Sequence, residues 1–327
     1  GAFSETTGFP RACAFYEQRL VFAGTTSQPQ ALFFSVAGDF ENMTESDSDS
    51  SAMNYTIGSN QVNRILYLAS ARSMVVGTTG GEFVVRASGT DEPITPTNIQ
   101  IKQQATYGSA DVQPVQAGSY TLFVQRAKRK LRELGYVYDT DAYQAVDLTI
   151  LADHVSENGL VELAYQQEPF SLVWAATGDG RLIGMTYRRE EQVVAWHQHK
   201  LGGSFTTGGV TTNHGIVENL AVIPGELNQD NLYMVVKRTI NGATRRYVEI
   251  LSAIDFGTDI QDAIFVDSSL TYTGSSTSSL SGLDHLEGQS VSILEEGAAH
   301  PDKTVASGSI TTDRATTKAQ VGLSYTS

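Results

Sequence analysis

Short apolar runs separated by turn residues recur along almost the whole chain, whereas helical periodicity is scarce. Runs of Val, Ile, Leu, Phe and Tyr bounded by Gly, Asn, Asp and Thr are typical of strands joined by tight hairpins. The predicted hairpin strands are 20–24 with 31–35, 73–77 with 82–86, 120–125 with 131–136, 171–176 with 181–187, and 232–237 with 245–251. Their turns lie near positions 27, 79, 128, 179 and 241, so the spacings are 52, 49, 51 and 62 residues. A period of roughly fifty residues with about four strands per unit predicts the blades of a β-propeller.

The fourth unit shows the predicted blade most completely. Its four strand candidates are 160–165, 171–176, 181–188 and 192–199. Gly178-Asp179-Gly180 supplies the residues that a hairpin turn with positive φ requires. Trp174 and Trp196 are predicted to pack in the core between neighbouring blades, in preference to stacking on a ligand.

The same pattern divides this all-β chain into three parts. Residues 1–265 are predicted to form a β-propeller domain with about five visible blades, and the pattern does not tell whether five blades close the ring. Residues 266–282 are rich in Ser and Thr and are predicted to be a linker or an extended surface strand. Residues 283–327 are predicted to form a small β domain with strand candidates at 290–294, 304–306, 309–312 and 319–323. Both chain ends are abrupt, which predicts that the sequence is cut from a longer protein and that the last domain is truncated.

The composition excludes several classes of protein. The 327 residues include 22 Lys and Arg against 36 Asp and Glu, which leaves a formal charge of −14. An apolar fraction of 40% excludes a disordered chain, and the single cysteine, Cys13, excludes a disulfide scaffold. No apolar run approaches the ~20 residues that span a bilayer, so no membrane-spanning segment is expected. The surplus of acidic residues argues against non-specific wrapping of nucleic acid, which requires surplus Lys and Arg.

Motifs that carry chemistry are scarce. The hydrolase motif G-x-S-x-G is absent from the sequence, and the glycine-rich run Gly77–Gly81 lacks the Lys and Ser/Thr of a phosphate-binding loop. His197 and His199 share one face of a predicted strand, but no third metal ligand lies nearby in the sequence. The acidic run Glu45–Ser51 lacks the glycine and the later bidentate glutamate of an EF-hand. A hairpin turn, a polar blade edge and a solvated loop are therefore favoured, and no catalytic, metal-binding or cofactor-binding residue is predicted.

Several segments, taken in order, resemble one protein family. They are GFPRA (8–12), QRLVFAGT (18–25), GDF (38–40), GTD (89–91), PTN (96–98), TYGS (106–109), LFVQR (122–126), KLRE (130–133), AYQQEP (164–169), GRL (180–182), TY (186–187), GLDHLEG (282–288) and HPD (300–302). They are similar to segments of the tail nozzle proteins of short-tailed bacteriophages, which are also called tail tubular or tail stabilisation proteins. The resemblance covers nearly the whole chain. It rests on the number and order of the segments, because none of them is a catalytic signature.

The resemblance implies a structural virion component that is not an enzyme. In this family several copies, expected to be six, form the distal tail tube through which DNA leaves the capsid. The resemblance therefore implies a homo-oligomer that also contacts other tail proteins, is made in the bacterial host cytoplasm and resides in the virion. DNA is expected to pass without specific binding, because acidic side chains facing the lumen would repel its phosphates. Proteins of the family extend beyond both ends of this chain, so an isolated fragment can be monomeric.

One cluster of charge stands out in this acidic sequence. Five cations fall within seven residues: Arg126, Lys128, Arg129, Lys130 and Arg132. If the hairpin turns at 127–129, these side chains are exposed and spread outward. Such a cluster is either a solubilising hairpin tip or a contact with an acidic neighbouring subunit or another tail protein. Direct DNA binding is the least favoured of the three, because a conduit that grips phosphates would slow ejection.

The alternative function is that of a propeller that binds or degrades glycans on the host surface. Glycosidases need two carboxylates about 5–10 Å apart across a pocket. The carboxylates that fall in predicted loops or at strand ends are Asp39, Glu41, Asp179, Glu190 and Glu191. Nothing in their spacing selects a pair, so a pocket lined by two of them would distinguish this alternative from the structural role.

Overall fold

The computed structural model describes residues 3–59, 63–89, 92–226 and 228–325, and strands dominate them. The strands are β1 (Ala12–Tyr16), β2 (Arg19–Ala23), β3 (Ala31–Phe34), β4 (Met53–Thr56), β5 (Ile65–Ser70), β6 (Met74–Thr78), β7 (Gly81–Ala87), β8 (Ile99–Ala105), β9 (Val115–Ala117), β10 (Tyr120–Val124), β11 (Leu131–Val137), β12 (Ala142–Asp147), β13 (Leu160–Gln166), β14 (Leu172–Thr177), β15 (Leu182–Arg188), β16 (Val193–His199), β17 (Phe205–Thr207), β18 (Val210–Thr212), β19 (Ile216–Pro224), β20 (Asp230–Ile240), β21 (Ala243–Ile250), β22 (Asp267–Ser281), β23 (Ser290–Glu295), β24 (Ala298–Thr304) and β25 (Ser309–Leu323). Helix is limited, within these ranges, to short 3-10 turns at Tyr138–Thr140, Ile260–Asp262 and Asp284–Leu286. None of the described helices is long and apolar enough to cross a membrane. Thr90 and Asp91 of the family resemblance and the predicted cut ends at 1–2 and 326–327 lie outside the described residues.

Among the described residues, four sheets of four consecutive antiparallel strands form most of the fold. They contain β1–β4, β5–β8, β9–β12 and β13–β16, each in chain order across the sheet. This up-and-down meander is the blade unit of a β-propeller, so the predicted all-β fold built from propeller blades is confirmed. The predicted hairpin of each of these four units is present. The glycine-rich run is a hairpin turn, in which Thr78 pairs with Gly81.

The chain forms two compact units, Gly1–Tyr165 and Gln166–Ser327. In the first unit, neighbouring sheets bury their facing side chains against each other, as strands with alternating side chains allow. Buried residues of β1–β4 and β5–β7 share one core. The other face of β5–β7 packs on β10 and β11 around Tyr67 and Phe123. Face-to-face packing of successive sheets therefore builds the core of this unit.

The fifth predicted unit departs from the four-strand pattern. Its sheet contains β19, β20 and β21, and the hairpin of β17 and β18 that precedes it is a separate two-stranded sheet. The predicted turn is present, with Asn241 at a φ of 49° and Gly242 at 71°, as tight hairpin turns of the primed type require. The expectation of about four strands is wrong here, because residues 251–266 after β21 form no strand that could continue the sheet.

The last sheet has its own core and the strand order β22-β25-β23-β24. Leu283, Val291 and Ile310 are among the buried residues of this core. The Ser- and Thr-rich stretch, predicted to be a linker or an extended strand, is the strand β22. It pairs antiparallel with β25 along most of its length.

Three predicted strands of the small β domain have the wrong bounds. The candidates 309–312 and 319–323 are the two ends of one strand, β25. The polar residues between them join this strand because they pair with polar residues of β22, as Thr316 does with Thr277. The candidate 304–306 only touches the end of β24, which contains Pro301. Proline is tolerated in β24 because this is the edge strand of its sheet.

Candidate functional site

The basic cluster lies on the hairpin of β10 and β11, and the turn of that hairpin is tightly closed. The Lys128 N–H donates to the Gln125 carbonyl at 2.7 Å, and the Gln125 N–H donates to the Lys130 carbonyl at 2.8 Å. Lys128 adopts a φ of 64°, which is uncommon for a residue other than glycine. The hairpin therefore turns where the sequence predicts.

Neighbouring segments hold both sides of this turn. The Arg126 N–H donates to the Gly108 carbonyl at 2.9 Å. On the other side, the Ser156 hydroxyl donates to the Arg129 carbonyl at 2.6 Å. The backbone of the turn is thus fixed by contacts outside the hairpin, so its side chains project from defined positions.

Three of the five cations are available to a partner. Arg126 and Arg129 are exposed, and Lys128 is half-buried. The guanidinium groups of Arg126 and Arg129 form no ion pair or hydrogen bond within the described part of the chain. We term Arg126, Lys128 and Arg129 the basic tip.

Arg132 is buried, which corrects the prediction that all five cations are exposed. Its side chain is 8% exposed. Nε donates to the Gln125 side-chain oxygen and Nη1 to the Ala145 carbonyl, both at 2.7 Å. The guanidinium also lies 3.5 Å from the centre of the Tyr107 ring. Arg132 lies within β11, so its side chain joins a packed face of the sheet rather than the turn.

Lys130 is neutralised by Asp147. The Nζ atom of Lys130 lies 2.7 Å from a carboxylate oxygen of Asp147. Although burial alone would raise the pKa of Asp147, hydrogen bonds from Lys130 and Thr149 hold that pKa below its usual value. The pair removes one charge from the hairpin and ties it to the end of β12.

A buried carboxylate in the first unit escaped the sequence analysis. Glu82 is fully buried on β7. One of its carboxylate oxygens lies 2.9 Å from the Ser109 hydroxyl, which lies 3.0 Å from the Tyr67 hydroxyl. Burial raises the pKa of Glu82 to about 7, although Ser109 and the charge of Arg132 act in the opposite direction. The group can hold a proton near neutral pH, but all three side chains are buried and cannot reach a substrate.

His197 and His199 share a face of β16 as predicted, and their rings meet. Nδ1 of His197 lies 2.7 Å from Nε2 of His199. Burial lowers the pKa of both imidazoles. Trp174 is buried as predicted and its ring centre lies 5.4 Å from that of His197, whereas Trp196 is only half-buried. Among the described residues, no group of three or more His, Cys, Asp or Glu side chains could hold a metal ion.

The acidic run Glu45–Ser51 is a largely exposed loop that is anchored by a buried arginine. Arg19 is 2% exposed. Its guanidinium donates to the carbonyls of Ser35 at 2.8 Å, Asp49 at 2.8 Å and Ser51 at 2.6 Å. The backbone of the loop therefore binds a cation of the chain itself, and this role of Arg19 was not predicted from the sequence.

Two cavities bear on the glycan alternative. One, of about 560 Å³, is lined by Arg245, Tyr247, His285 and Glu287 among others. Another, of about 460 Å³, lies between β8 and β12. None of the five carboxylates considered for glycan cleavage lines either cavity. Asp179, one of the five, forms an ion pair with Arg181 at 2.8 Å instead.

Comparison with known proteins identifies no family. No family model and no curated protein matches the chain. Among solved structures, a putative phosphatase from Bacteroides thetaiotaomicron is 11% identical with a TM-score of 0.43, over 98% of this chain and 72% of that chain. A protein from Lactobacillus plantarum is 10% identical with a TM-score of 0.42, over 95% of this chain and 87% of that chain. The β-propeller domain of Cps50 (Swd1) from Myceliophteria thermophila is 8% identical with a TM-score of 0.41, over 74% of this chain and 72% of that chain. Because all three TM-scores are below 0.5, the fold assignment rests on the observed strand order of the sheets.

Proposed function

We propose that this chain is a structural component of a bacteriophage short tail and forms part of the nozzle through which DNA is ejected. The basic tip carries the proposal, because Arg126 and Arg129 are exposed and unpaired within the described residues of a protein with a charge of −14. Such a surface is complementary to an acidic surface on a neighbouring copy or on another tail protein. The similarity of many sequence segments to tail nozzle proteins supports the same role.

The proposed mechanism is mechanical and electrostatic, with no catalytic step. Copies of the chain, six by the family resemblance, assemble into a ring. Acidic side chains that face its lumen repel the phosphates of DNA, so DNA passes without being held. The braced turn presents the basic tip in a fixed conformation, which lowers the entropy lost when a partner binds. Charge complementarity then sets the rate and the register of association.

Replacing Arg126 and Arg129 together by Gln is expected to preserve the fold and weaken tail assembly. Both side chains are exposed, and changes of this kind usually shift stability by less than ~0.5 kcal/mol each. The melting temperature of the chain should therefore be unchanged, while incorporation of the full-length variant into tails should fall by roughly tenfold. Relative to the wild type, the assembly defect of this variant should be smaller at high salt than at low salt, because salt screens exposed charges.

Two control variants separate assembly from stability. Arg64→Gln combined with Arg72→Gln removes two exposed charges outside the basic tip and should not affect assembly. Arg132→Gln should lower the melting temperature, because the guanidinium of Arg132 is buried and hydrogen-bonded. Normal assembly of the Arg126 and Arg129 variant at low and high salt would refute a partner contact and leave a solubilising hairpin tip.

A further inference from the structure

One face of the three-stranded sheet of β19, β20 and β21 carries an exposed apolar patch. Strand pairing puts these residues on that face: Asn219, Ala221, Ile223, Tyr233, Val235, Val248 and Ile250. Val248 is 72% exposed, Ile250 is 50% exposed and Ile223 is 49% exposed. The solvated face of an antiparallel sheet normally carries polar residues. Lys237 and Arg246 lie on the same face, and Phe205 of β17 contacts Lys237 there. The exposed apolar patch beside these charges indicates a surface that another element covers.

The opposite face of the same sheet is well packed, so the exposed apolar patch does not reflect a loosely folded sheet. Leu220, Leu232, Met234 and Val236 are at most 5% exposed on that side. The outer edge of β21 also lacks a neighbouring strand among the described residues. A partner can therefore pack on the apolar side chains of this face and form hydrogen bonds with the backbone groups at the edge of β21.

A second exposed apolar patch lies on one face of the sheet of β1–β4. Pairing of Phe15 with Leu20 and of Cys13 with Phe22 puts these four residues on one face, where the ring of Phe3 packs on Phe22 at 5.5 Å and leaves Phe15 and Cys13 exposed. Phe15 is 62% exposed and Cys13 is exposed. The ring centre of Phe40, which is also exposed, lies 5.0 Å from that of Phe15. The opposite face of this sheet belongs to the buried core of the first unit.

Charged residues of opposite sign lie beside the two apolar patches. On the sheet of β19–β21, Arg246 and Lys237 each lie 2.6 Å from the carboxylate of Glu218. Their hydrogen bonds lower the pKa of Glu218 to about 2, so this group of two cations and one anion keeps an excess positive charge. Next to Phe40 in the sequence, Asp39 and Glu41 are exposed and form no ion pair within the described residues.

We propose that the exposed apolar patch of β1–β4 in one copy docks on the exposed apolar patch of β19–β21 in a second copy of this chain. The contact buries Phe15 and Phe40 against Val248 and Ile250 and sets acidic side chains against the basic excess. Contact between two identical faces would place like charges together, which disfavours a symmetric dimer. Contact between different faces is head-to-tail, and such contacts build rings or filaments. The inference rests on the self-association in the proposed function but not on the role in a tail.

Cys13 can report this contact directly, because it is the only cysteine and lies on one docking face. In a Val248→Cys variant, mild oxidation at rising protein concentration is expected to yield covalent dimers and higher multimers. A disulfide requires Cα atoms about 4.4–6.8 Å apart, so the product reports the register of the contact. Adding Cys13→Ser should abolish the multimers. The matched control Val210→Cys, at a position that is 68% exposed in β18, should give roughly tenfold less product.

Each contrary result of the oxidation experiment overturns the proposal. A disulfide within one chain would show that positions 13 and 248 meet intramolecularly. Dimers that persist after Cys13→Ser would show that the face of β19–β21 meets a copy of itself. A yield no higher than that of the Val210→Cys control would show that the two faces do not meet in the proposed register.

A second measurement keeps the proposal independent of the tail assay. Val248→Asp should leave the melting temperature unchanged and weaken self-association in sedimentation by roughly tenfold or more, because the contact would bury an unpaired charge. Unchanged association would contradict the docking face. If the chain enters tails but the disulfide between the two faces does not form, the interface is wrong while the proposed function stands. If the disulfide forms but the protein does not enter tails, the interface stands and the proposed function fails.

Discussion

Replacing Arg19 by Met is expected to lower the free energy of unfolding by at least about 3 kcal/mol. The guanidinium of Arg19 is buried and donates to three backbone carbonyls at 2.6–2.8 Å. Met fills a similar volume but leaves these carbonyls without a donor, and each buried unsatisfied acceptor costs about 1–3 kcal/mol. The loop Glu45–Ser51 contributes two of the three carbonyls, so it should become accessible to proteases before the rest of the chain.

Chemical denaturation measures this loss, and limited proteolysis locates it. Arg72→Met is the matched control, because Arg72 is exposed and its replacement should change stability by less than ~0.5 kcal/mol. Arg19→Lys should retain part of the stability, since an ammonium group keeps the charge but lacks the planar fork that reaches several carbonyls. A loss for Arg19→Met no larger than that of the control would show that water replaces the guanidinium without cost.

Glu82→Gln is expected to remove a contribution to the pH dependence of stability of about 3 kcal/mol. Burial raises the pKa of Glu82 from an ordinary value of 4.5 to about 7. Between these two values the folded state binds more protons than the unfolded state, so stability falls as the pH rises. The contribution of Glu82 is full below about pH 4.5 and lost once the pH has risen through about 7.

The measured quantity is the free energy of unfolding of Glu82→Gln minus that of the wild type, which should rise by about 3 kcal/mol from pH 4.5 to pH 8. Taking this difference cancels the contributions of His197 and His199 to the pH dependence, because both proteins contain these residues. Burial lowers the pKa of those imidazoles, so they make the wild type more stable as the pH rises. Glu157→Gln, at an exposed position, is the control and should leave the profile unchanged. Parallel profiles for Glu82→Gln and the wild type would show that the carboxyl ionises at an ordinary pH in the folded protein.

Local features of the sequence determined the class of fold and most hairpins. The alternation of apolar and polar residues and the turn at Gly178–Gly180 place β14 and β15 within one residue of their observed bounds. These predictions succeed because side-chain alternation and turn chemistry depend on neighbouring residues only. The turn of the basic hairpin is predictable for the same reason, and Arg126 and Arg129 lie at its exposed tip.

Long-range pairing decided the features that the sequence did not show. The strand β22 is polar, and it forms because β25, some forty residues later, offers it matching partners. Arg132 looked like a surface cation because its burial depends on Gln125, Ala145 and Tyr107, which only the packed sheet brings around it. Whether a face of the sheet of β19–β21 is covered likewise depends on segments that are distant in sequence.

The partners and the environment of buried polar groups were decided by the tertiary structure alone. Arg19 alternates in phase with the buried Val21 of β2, which is a weak signal that it faces inward. Nothing near it in the sequence identifies the carbonyls of Asp49 and Ser51 as its acceptors. The period of the chain therefore determined which segments become strands. The environment of each charge, and hence its pKa, its partners and its exposure, was decided by side chains distant in sequence, because burial and Coulomb interactions depend on distance in space.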